Sequence, residues 1–326
     1  MVSYMDFSRA ALVSGLALAL ATAGCGSADQ ATPAATPGPA PTVSVVASTD
    51  VYGAVASAVG GSHVKVTSVI HTPDADPHEY ENTPADVVAV GESKVLVTNG
   101  GGYDGFADKL AEAAGRKPVV INAVALSGLA PAEATHEGAR EASHEEHAEG
   151  FNEHVWYHLP TVAKVADALA GELAKVDPPN AGAYQANAAA FRGKLDGLTA
   201  KLNAIKAAHQ GAKVAVTEPV AGYLIDAAGL TNVTPAEFSE AIEEGNDPPA
   251  AVLNQALEVF QGADPARALL LNAQTESAAT KQVEDAAGKA GVPVVKVTET
   301  LPAGIVDYVQ WMGGQIDQLA GALDRK

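Results

Sequence analysis

The chain has 326 residues, 47% apolar and 18% charged, so it can bury a sizeable core and is not disordered as a whole. Its 39 acidic and 20 basic side chains leave a net charge of −19, which excludes the basic face that nucleic-acid binding needs and fits a cationic partner. One cysteine beside nine histidines excludes an internal disulfide, a Cys-rich zinc site and an iron–sulfur cluster, and leaves imidazole and carboxylate as the metal-binding groups.

Residues 1–24 read as a signal peptide. Arg9 gives a short basic start, and Ala10 to Ala23 is apolar apart from Ser14, Gly15 and Thr22. That run is too short for the roughly 20 residues of a membrane span. It ends in Thr22-Ala23-Gly24-Cys25, which resembles a bacterial lipobox, where the cysteine carries the lipid anchor. An ordinary signal peptide with an incidental cysteine is the alternative. Residues 25–42, with Pro33, Pro37, Pro39 and Pro41 among small residues, read as a tether that cannot pack a core. A lipid, a tether and a globular body place the protein on the outer face of the cytoplasmic membrane.

From Val43 the pattern alternates between strand and helix. Strands are expected at 43–47, 64–70, 95–98 and 119–121. Between them fall helices starting at Asp50, as cap, at Thr83-Pro84 and at Asp104 after the Gly100-Gly101-Gly102 turn. Residues 127–153 interrupt this N-terminal lobe (43–177) with seven Glu, one Arg and His136, His144 and His147, and without apolar periodicity they read as a mobile loop. A helix follows from Pro160 to about Val176. The segment 178–210 then carries Tyr184, Ala188, Phe191, Leu195, Leu198, Leu202 and Ile205 in steps of three and four, one stripe on a rod of roughly 45 Å. In the C-terminal lobe (211–326), strands are expected at 213–217, 268–271 and 292–297, with helices at 219–228, 250–260, 277–290 and 303–323. The fold class is therefore α/β: two Rossmann-like lobes with parallel sheets joined by one long helix.

In open α/β sheets, ligands bind beyond the carboxyl ends of the strands. Four residues with metal-binding side chains lie in such places: His78 after strand 64–70, His154 where the acidic loop rejoins the fold, Glu218 directly after Thr217, and Glu276 after the strand ending at Leu271. Two come from each lobe, and together they would offer two imidazoles and two carboxylates to a divalent cation in the cleft. Each also has a plain structural reading. The histidines can be loop residues bonded to backbone, and each glutamate can favour the N-terminus of the helix that follows it.

Asp76-Pro77-His78-Glu79-Tyr80-Glu81, His154-Val155-Trp156, Thr217-Glu218-Pro219-Val220-Ala221-Gly222-Tyr223-Leu224 and Val297-Thr298-Glu299-Thr300-Leu301-Pro302 resemble segments of the zinc- and manganese-binding solute-binding lipoproteins of bacterial ABC transporters. The similarity runs from about Val43 to Leu323. It implies capture of a divalent metal outside the cell and delivery to a membrane permease whose ATPase is a separate partner, since no Walker-type loop is present. It also implies His78 and His154 as ligands, Glu218 at a position that is His or Glu in the family, and Glu276 where the family usually has Asp. His158 stands where an Asp is often found and is a candidate supporting group or a plain polar residue before Pro160.

Zinc is the expected ion and manganese the alternative. Raw affinity favours zinc, and His136, His144 and His147 can gather it. An extracellular metal-binding adhesin or buffer is a second class of function. A zinc hydrolase using Glu79 or Glu81 as base is a third. The chain lacks a His-Glu-x-x-His motif and a nucleophile elbow, so it is expected not to be an enzyme.

Overall fold

The computed structural model describes residues 42–73, 80–130 and 151–325. The expected signal peptide and tether, Cys25, His78, Glu79 and the loop histidines His136, His144 and His147 lie outside the described residues. The N-terminal part comprises β1 (Val43–Thr49), α1 (Asp50–Gly60), β2 (Val64–Ile70), α2 (Pro84–Glu92), β3 (Val95–Thr98), α3 (Gly105–Ala113), β4 (Val119–Asn122), α4 (Ala123–Ser127) and α5 (Leu159–Val176). Then come the long α6 (Ala181–His209), β5 (Lys213–Val216), α7 (Gly222–Ala227), β6 (Thr231–Asn232), α8 (Ala236–Glu243), α9 (Ala250–Glu258), β7 (Leu269–Asn272), α10 (Ala278–Lys289), β8 (Val294–Val297) and α11 (Tyr308–Leu323).

Two four-stranded sheets form, in the orders β2-β1-β3-β4 and β6-β5-β7-β8, and every pairing is parallel. Both faces of each sheet are covered, which is why the inner strands are nearly unbroken apolar runs. Strand alternation sorts their side chains. Val45, Ala47, Val95 and Val97 face the central core, whereas Val46 and Leu96 face a layer built with Val90, Phe106 and Leu110 from α2 and α3. In the second sheet, Val214, Val216 and Leu270 face the central core. Ala215, Leu269 and Leu271 face the outer layer with Phe238, Ile242, Val252 and Val283 from α8, α9 and α10.

The long helix belongs to both halves. Its buried stripe is Tyr184, Ala188, Phe191, Leu195, Leu198, Leu202 and Ile205, as the periodicity predicts. Near its start Asn187 Nδ2 donates to Val59 O at 3.0 Å, and towards its end Lys201 pairs with Asp317 of α11 at 2.7 Å. Its 29 residues give a length of about 44 Å.

Several expectations need correction. Asp50 does not cap α1: it is the helix's first residue, and its carboxylate accepts from Leu301 N–H at 3.0 Å in the other half of the molecule. The last helix starts at Tyr308 rather than Ala303. Asp307 caps it by accepting from Gln310 N–H, and Gly304 sits at φ 81 in the preceding turn. Sequence reading passed over α4, β6 and α8, which are short. Residues 151–153, assigned to the mobile loop, are ordered, and Glu153 is buried.

Candidate metal centre

The strand ends of both sheets converge on a group of buried acidic and imidazole side chains. His154 is 1% exposed, Glu153 and Glu218 are each 4% exposed and Glu299 is 6% exposed. Glu243 joins them from the end of α8, with its Oε1 3.4 Å from His154 Nε2. Burial of a carboxylate costs free energy unless protons, donors or cations meet it, so four together need a common partner.

The tautomer of His154 follows from its neighbours. Asn152 Oδ1 accepts from the backbone N–H of His154 at 3.0 Å and lies 2.8 Å from its Nδ1. Asn152 Nδ2 donates to Pro219 O at 2.8 Å, which fixes the amide orientation. The proton therefore sits on Nδ1 and the Nε2 lone pair is turned towards the carboxylates, the state a metal-ligating histidine requires. Trp156 packs its ring 5.0 Å from His154, and Tyr103 packs 4.4 Å from Trp156. Asn152 also ties the two sheets together, because Pro219 follows Glu218 and the Tyr223 hydroxyl donates to Asn152 O at 2.6 Å. This crossing leaves no room for a side chain at Gly222, where a Cβ would stand 2.7 Å from Asn152 Nδ2.

The segment carrying Glu153 is held from the first sheet. Asn99, just beyond β3, donates from Nδ2 to Glu153 O at 2.9 Å and accepts from the Tyr52 hydroxyl at 2.6 Å. The backbone then turns through Gly100, Gly101 and Gly102, all at positive φ. A Cβ on Gly101 would press on Phe151 and Val124 at 3.1 Å, so this turn is also a close approach to the chain leading into the site.

On the second sheet, Glu218 follows β5 and Glu299 follows β8, with Asn272 at the end of β7 between them. Asn272 Nδ2 lies 2.7 Å from Glu218 Oε2, 2.8 Å from Glu299 Oε1 and 2.7 Å from Thr275 Oγ1, so its two N–H groups are shared among both carboxylates and the threonine hydroxyl. Its Oδ1 accepts from Gln274 N–H, which fixes this amide too. Glu218 precedes the turn of Pro219–Ala221 but makes no capping bond there, so its carboxylate serves the cluster rather than a helix end. Gln274 accepts from Glu299 N–H and donates to Pro73 O at 2.7 Å, tying the Glu299 loop to the segment that runs on towards His78.

Glu276 is exposed and stands outside the buried group, contrary to the sequence expectation. Its neighbour Ser277 is the cap of α10, in a reciprocal pair with Thr280, and that turn holds residue 276 at the surface. Glu299 supplies the second carboxylate from this lobe. The Thr298-Glu299-Thr300 segment was part of the resemblance, and the strand ending at Val297 was the signal that could have located it. His158 lies at the start of α5, with Nδ1 2.8 Å from Thr161 Oγ1 and its ring 5.4 Å from Tyr223; burial lowers its pKa. It supports the region around Tyr223.

The electrostatics carry the mark of crowded carboxylates. Burial, with Glu153, Glu299 and Glu218 nearby, pushes Glu243 up to about 11. Tyr103 is raised well above its usual value by burial and by Glu299 and Asp104. A divalent cation would relieve this repulsion by pairing with the ionised forms. Among the described residues, Glu153, His154 and Glu243 each place one donor atom within 4.8 Å of the other two, a span a single ion can bridge.

Asp50 gives the interlobe contact a pH signature. Burial pushes it up to about 6, while hydrogen bonds from Leu301 and Val51 and the nearby His71 pull the other way. A raised folded pKa means that the folded state holds the proton more tightly. The associated stability is present below the unfolded value of 3.8 and is lost as pH rises through about 6. Asp50→Asn keeps an acceptor for Leu301 N–H and removes the ionisation. In chelator, its Tm relative to the unsubstituted protein is expected to rise by a few degrees from pH 4.5 to 7 and to level off above. A difference that does not change with pH would contradict this.

A family model described as "ZnuA: Zinc-uptake complex component A periplasmic" matches residues 45–322. The manganese-binding lipoprotein MntA of Halalkalibacterium halodurans is 28% identical over 176 residues, 54% of this chain and 52% of that protein. The chain spans about half the length of the curated relatives it matches. Among solved structures, ZnuA superposes with a TM-score of 0.67 at 23% identity, covering 87% of this chain and 100% of that one. The periplasmic zinc-binding protein TroA of Treponema pallidum superposes at 0.68 with 18% identity, covering 87% and 100%. These likenesses establish the two-lobed α/β fold.

Proposed function

We propose that this chain, which belongs to the ZnuA family of periplasmic zinc-uptake components, captures one divalent metal ion outside the cytoplasm and hands it to an ABC permease. The family is a transport component rather than an enzyme family. The observation that carries the reading is the buried convergence of His154, Glu218 and Glu299, with the His154 tautomer set so that Nε2 faces the carboxylates. These three and His78 form the proposed ligand set, with Glu299 in the place first expected of Glu276. Cys25 is the proposed lipid anchor, and His136, His144 and His147 a capture loop that raises the local ion concentration. The bound ion would be the cargo.

Zinc is the favoured cargo, because two imidazoles and two carboxylates suit its four-coordinate preference and it outcompetes manganese for such donors. The manganese reading is supported by the abundance of carboxylates around the site and by the ion named for the MntA relative. An adhesin or buffer role would share the site but need no permease.

The test is metal stoichiometry and affinity on the full chain. One tightly held ion per chain is expected, and His154→Ala is expected to weaken it by about 100-fold or more, beyond the 10–100-fold typical of supporting residues. Absence of a tight ion, or unchanged binding in His154→Ala, would overturn the assignment.

A further inference from the structure

We propose that Tyr157 and Asp50, two first-lobe residues outside the ligand set, are positioning residues for metal capture: they grip the second-lobe loop Thr298–Leu301 and thereby aim Glu299 at the ion. This rests on the reading of the site given above, in which Glu299 is a donor.

The loop needs a hold from outside its own sheet. Glu299 follows β8, which stands at the edge of the second sheet beside β7. The ladder reaches Val297, whose carbonyl accepts from Ala273 N–H at 2.9 Å, and α11 does not begin until Tyr308. Neither a strand nor a helix therefore fixes the backbone of residues 298–301. Glu299, Thr300 and Leu301 are nevertheless buried, so their backbone polar groups must find partners.

Side chains supply those partners, and two of them come from the first lobe. The Tyr157 hydroxyl lies 2.7 Å from Thr298 O and 2.7 Å from Gln315 Oε1, so it ties the loop to α11. Leu301 N–H donates to Asp50 Oδ1 at 3.0 Å. Between these anchors, Gln274 accepts from Glu299 N–H and donates to Pro73 O at 2.7 Å, a third tie to the first lobe. Tyr157 and Asp50 thus hold the chain one residue before Glu299 and two residues after it. The carboxylate between them reaches Asn272 Nδ2 at 2.8 Å. The Tyr157 ring is itself seated, edge to face 5.6 Å from Trp311, whose Nε1 donates to Thr298 Oγ1 at 3.0 Å.

The consequence for binding follows from preorganisation. A donor on a loose connector must be ordered each time an ion arrives, and that ordering is subtracted from affinity. A donor gripped in advance escapes the cost. Because the grip comes from the opposite lobe, any movement that parts the lobes also draws Glu299 away from Glu218. The bonds that aim the donor therefore also resist release, and their loss should appear mainly as faster dissociation.

The experiment uses the full chain at neutral pH, with zinc affinity from chelator competition and zinc release from a stopped-flow chelator chase. The variants are Tyr157→Phe, Asp50→Ala, Asp50→Asn and Glu299→Ala, with the first two also combined with Glu299→Ala. Tyr157→Phe, which removes the hydroxyl and keeps the ring, is expected to weaken zinc by about 10-fold through faster release, with association little changed. Asp50→Ala is expected to do the same, whereas Asp50→Asn, which keeps an acceptor for Leu301 N–H, stays within about threefold of the unsubstituted protein. In the Glu299→Ala background, Tyr157→Phe and Asp50→Ala are each expected to change affinity by less than about twofold, because the side chain they aim is gone. Losses that persist undiminished in that background, or single variants that bind and release zinc normally, would overturn the positioning role whatever happens to Tm in chelator. Failure of the site reading itself would appear differently, as unchanged binding in Glu299→Ala, and would overturn this proposal with it.

Discussion

Glu299→Ala is expected to weaken divalent-metal binding by about 100-fold or more, whereas Glu276→Ala leaves it within about twofold. The two residues are the sharpest pair for testing the site, because each follows a strand of the second sheet by a few residues, the sequence nominates Glu276 alone, and the structure places Glu299 in the buried group instead. Glu299 is buried, shares the Asn272 amide with Glu218, and is held through its own backbone by Gln274. Glu276 is exposed at the entrance to α10, where Ser277 performs the capping. Removing Glu299 would take away a buried carboxylate of the cluster, while Asn272 Nδ2 would keep Glu218 and Thr275 Oγ1 as acceptors; removing Glu276 would cost only a solvated side chain. Isothermal titration with both variants, alongside thermal denaturation in chelator, decides the matter. Equal behaviour of the two would remove Glu299 from the ligand set.

Metal loading is expected to raise the Tm by about 10 °C relative to protein in chelator. Ligand at a thousand times its Kd stabilises the folded state by about 4 kcal/mol, and a domain of this size gains about 2–4 °C for each kcal/mol. The effect should be large here because the unloaded site contains Glu153, Glu218, Glu243 and Glu299 together in a buried space, with Glu243 pushed up to about 11. The gain should shrink as pH falls below about 6.5, where imidazole takes up a proton and competes with the ion. Scanning calorimetry with and without zinc provides the measurement. A shift below about 2 °C at neutral pH and saturating metal would mean that the cluster is not neutralised by the ion.

What the sequence revealed, and what it concealed, follows from the length scale of each signal. The long helix was legible because seven large or small apolar residues repeat over its whole length, and all seven are buried. The inner strands were legible because burial on both faces makes them continuous runs of Val, Leu and Ala. By contrast α8 has eight residues and just two large apolar anchors, Phe238 and Ile242, too few for a period to emerge. Glu243 was hidden with it. Glu153 was hidden differently: it shares a run of acidic residues with a loop, and composition does not reveal where such a run ends and a buried segment begins. Glu276 and Glu299 both follow strands by a few residues. Only the side-chain bonds of Asn272, Gln274 and Ser277 show which of them turns inward, and these depend on contacts distant in sequence.

The helix Ala181–His209 has a mechanical consequence. A strut of about 44 Å, bonded through Asn187 to Val59 in its first half and through Lys201 to Asp317 in its second, sets the baseline between the two sheets. Opening the lobes widely would require that strut to bend or its apolar stripe to come unseated. Adjustments to ions of different radius therefore fall to the short connectors at the strand ends, where Asn152 meets Pro219 and Gln274 meets Pro73. In this architecture the scaffold is the ruler, and the two amide side chains are the graduations against which a cation is measured.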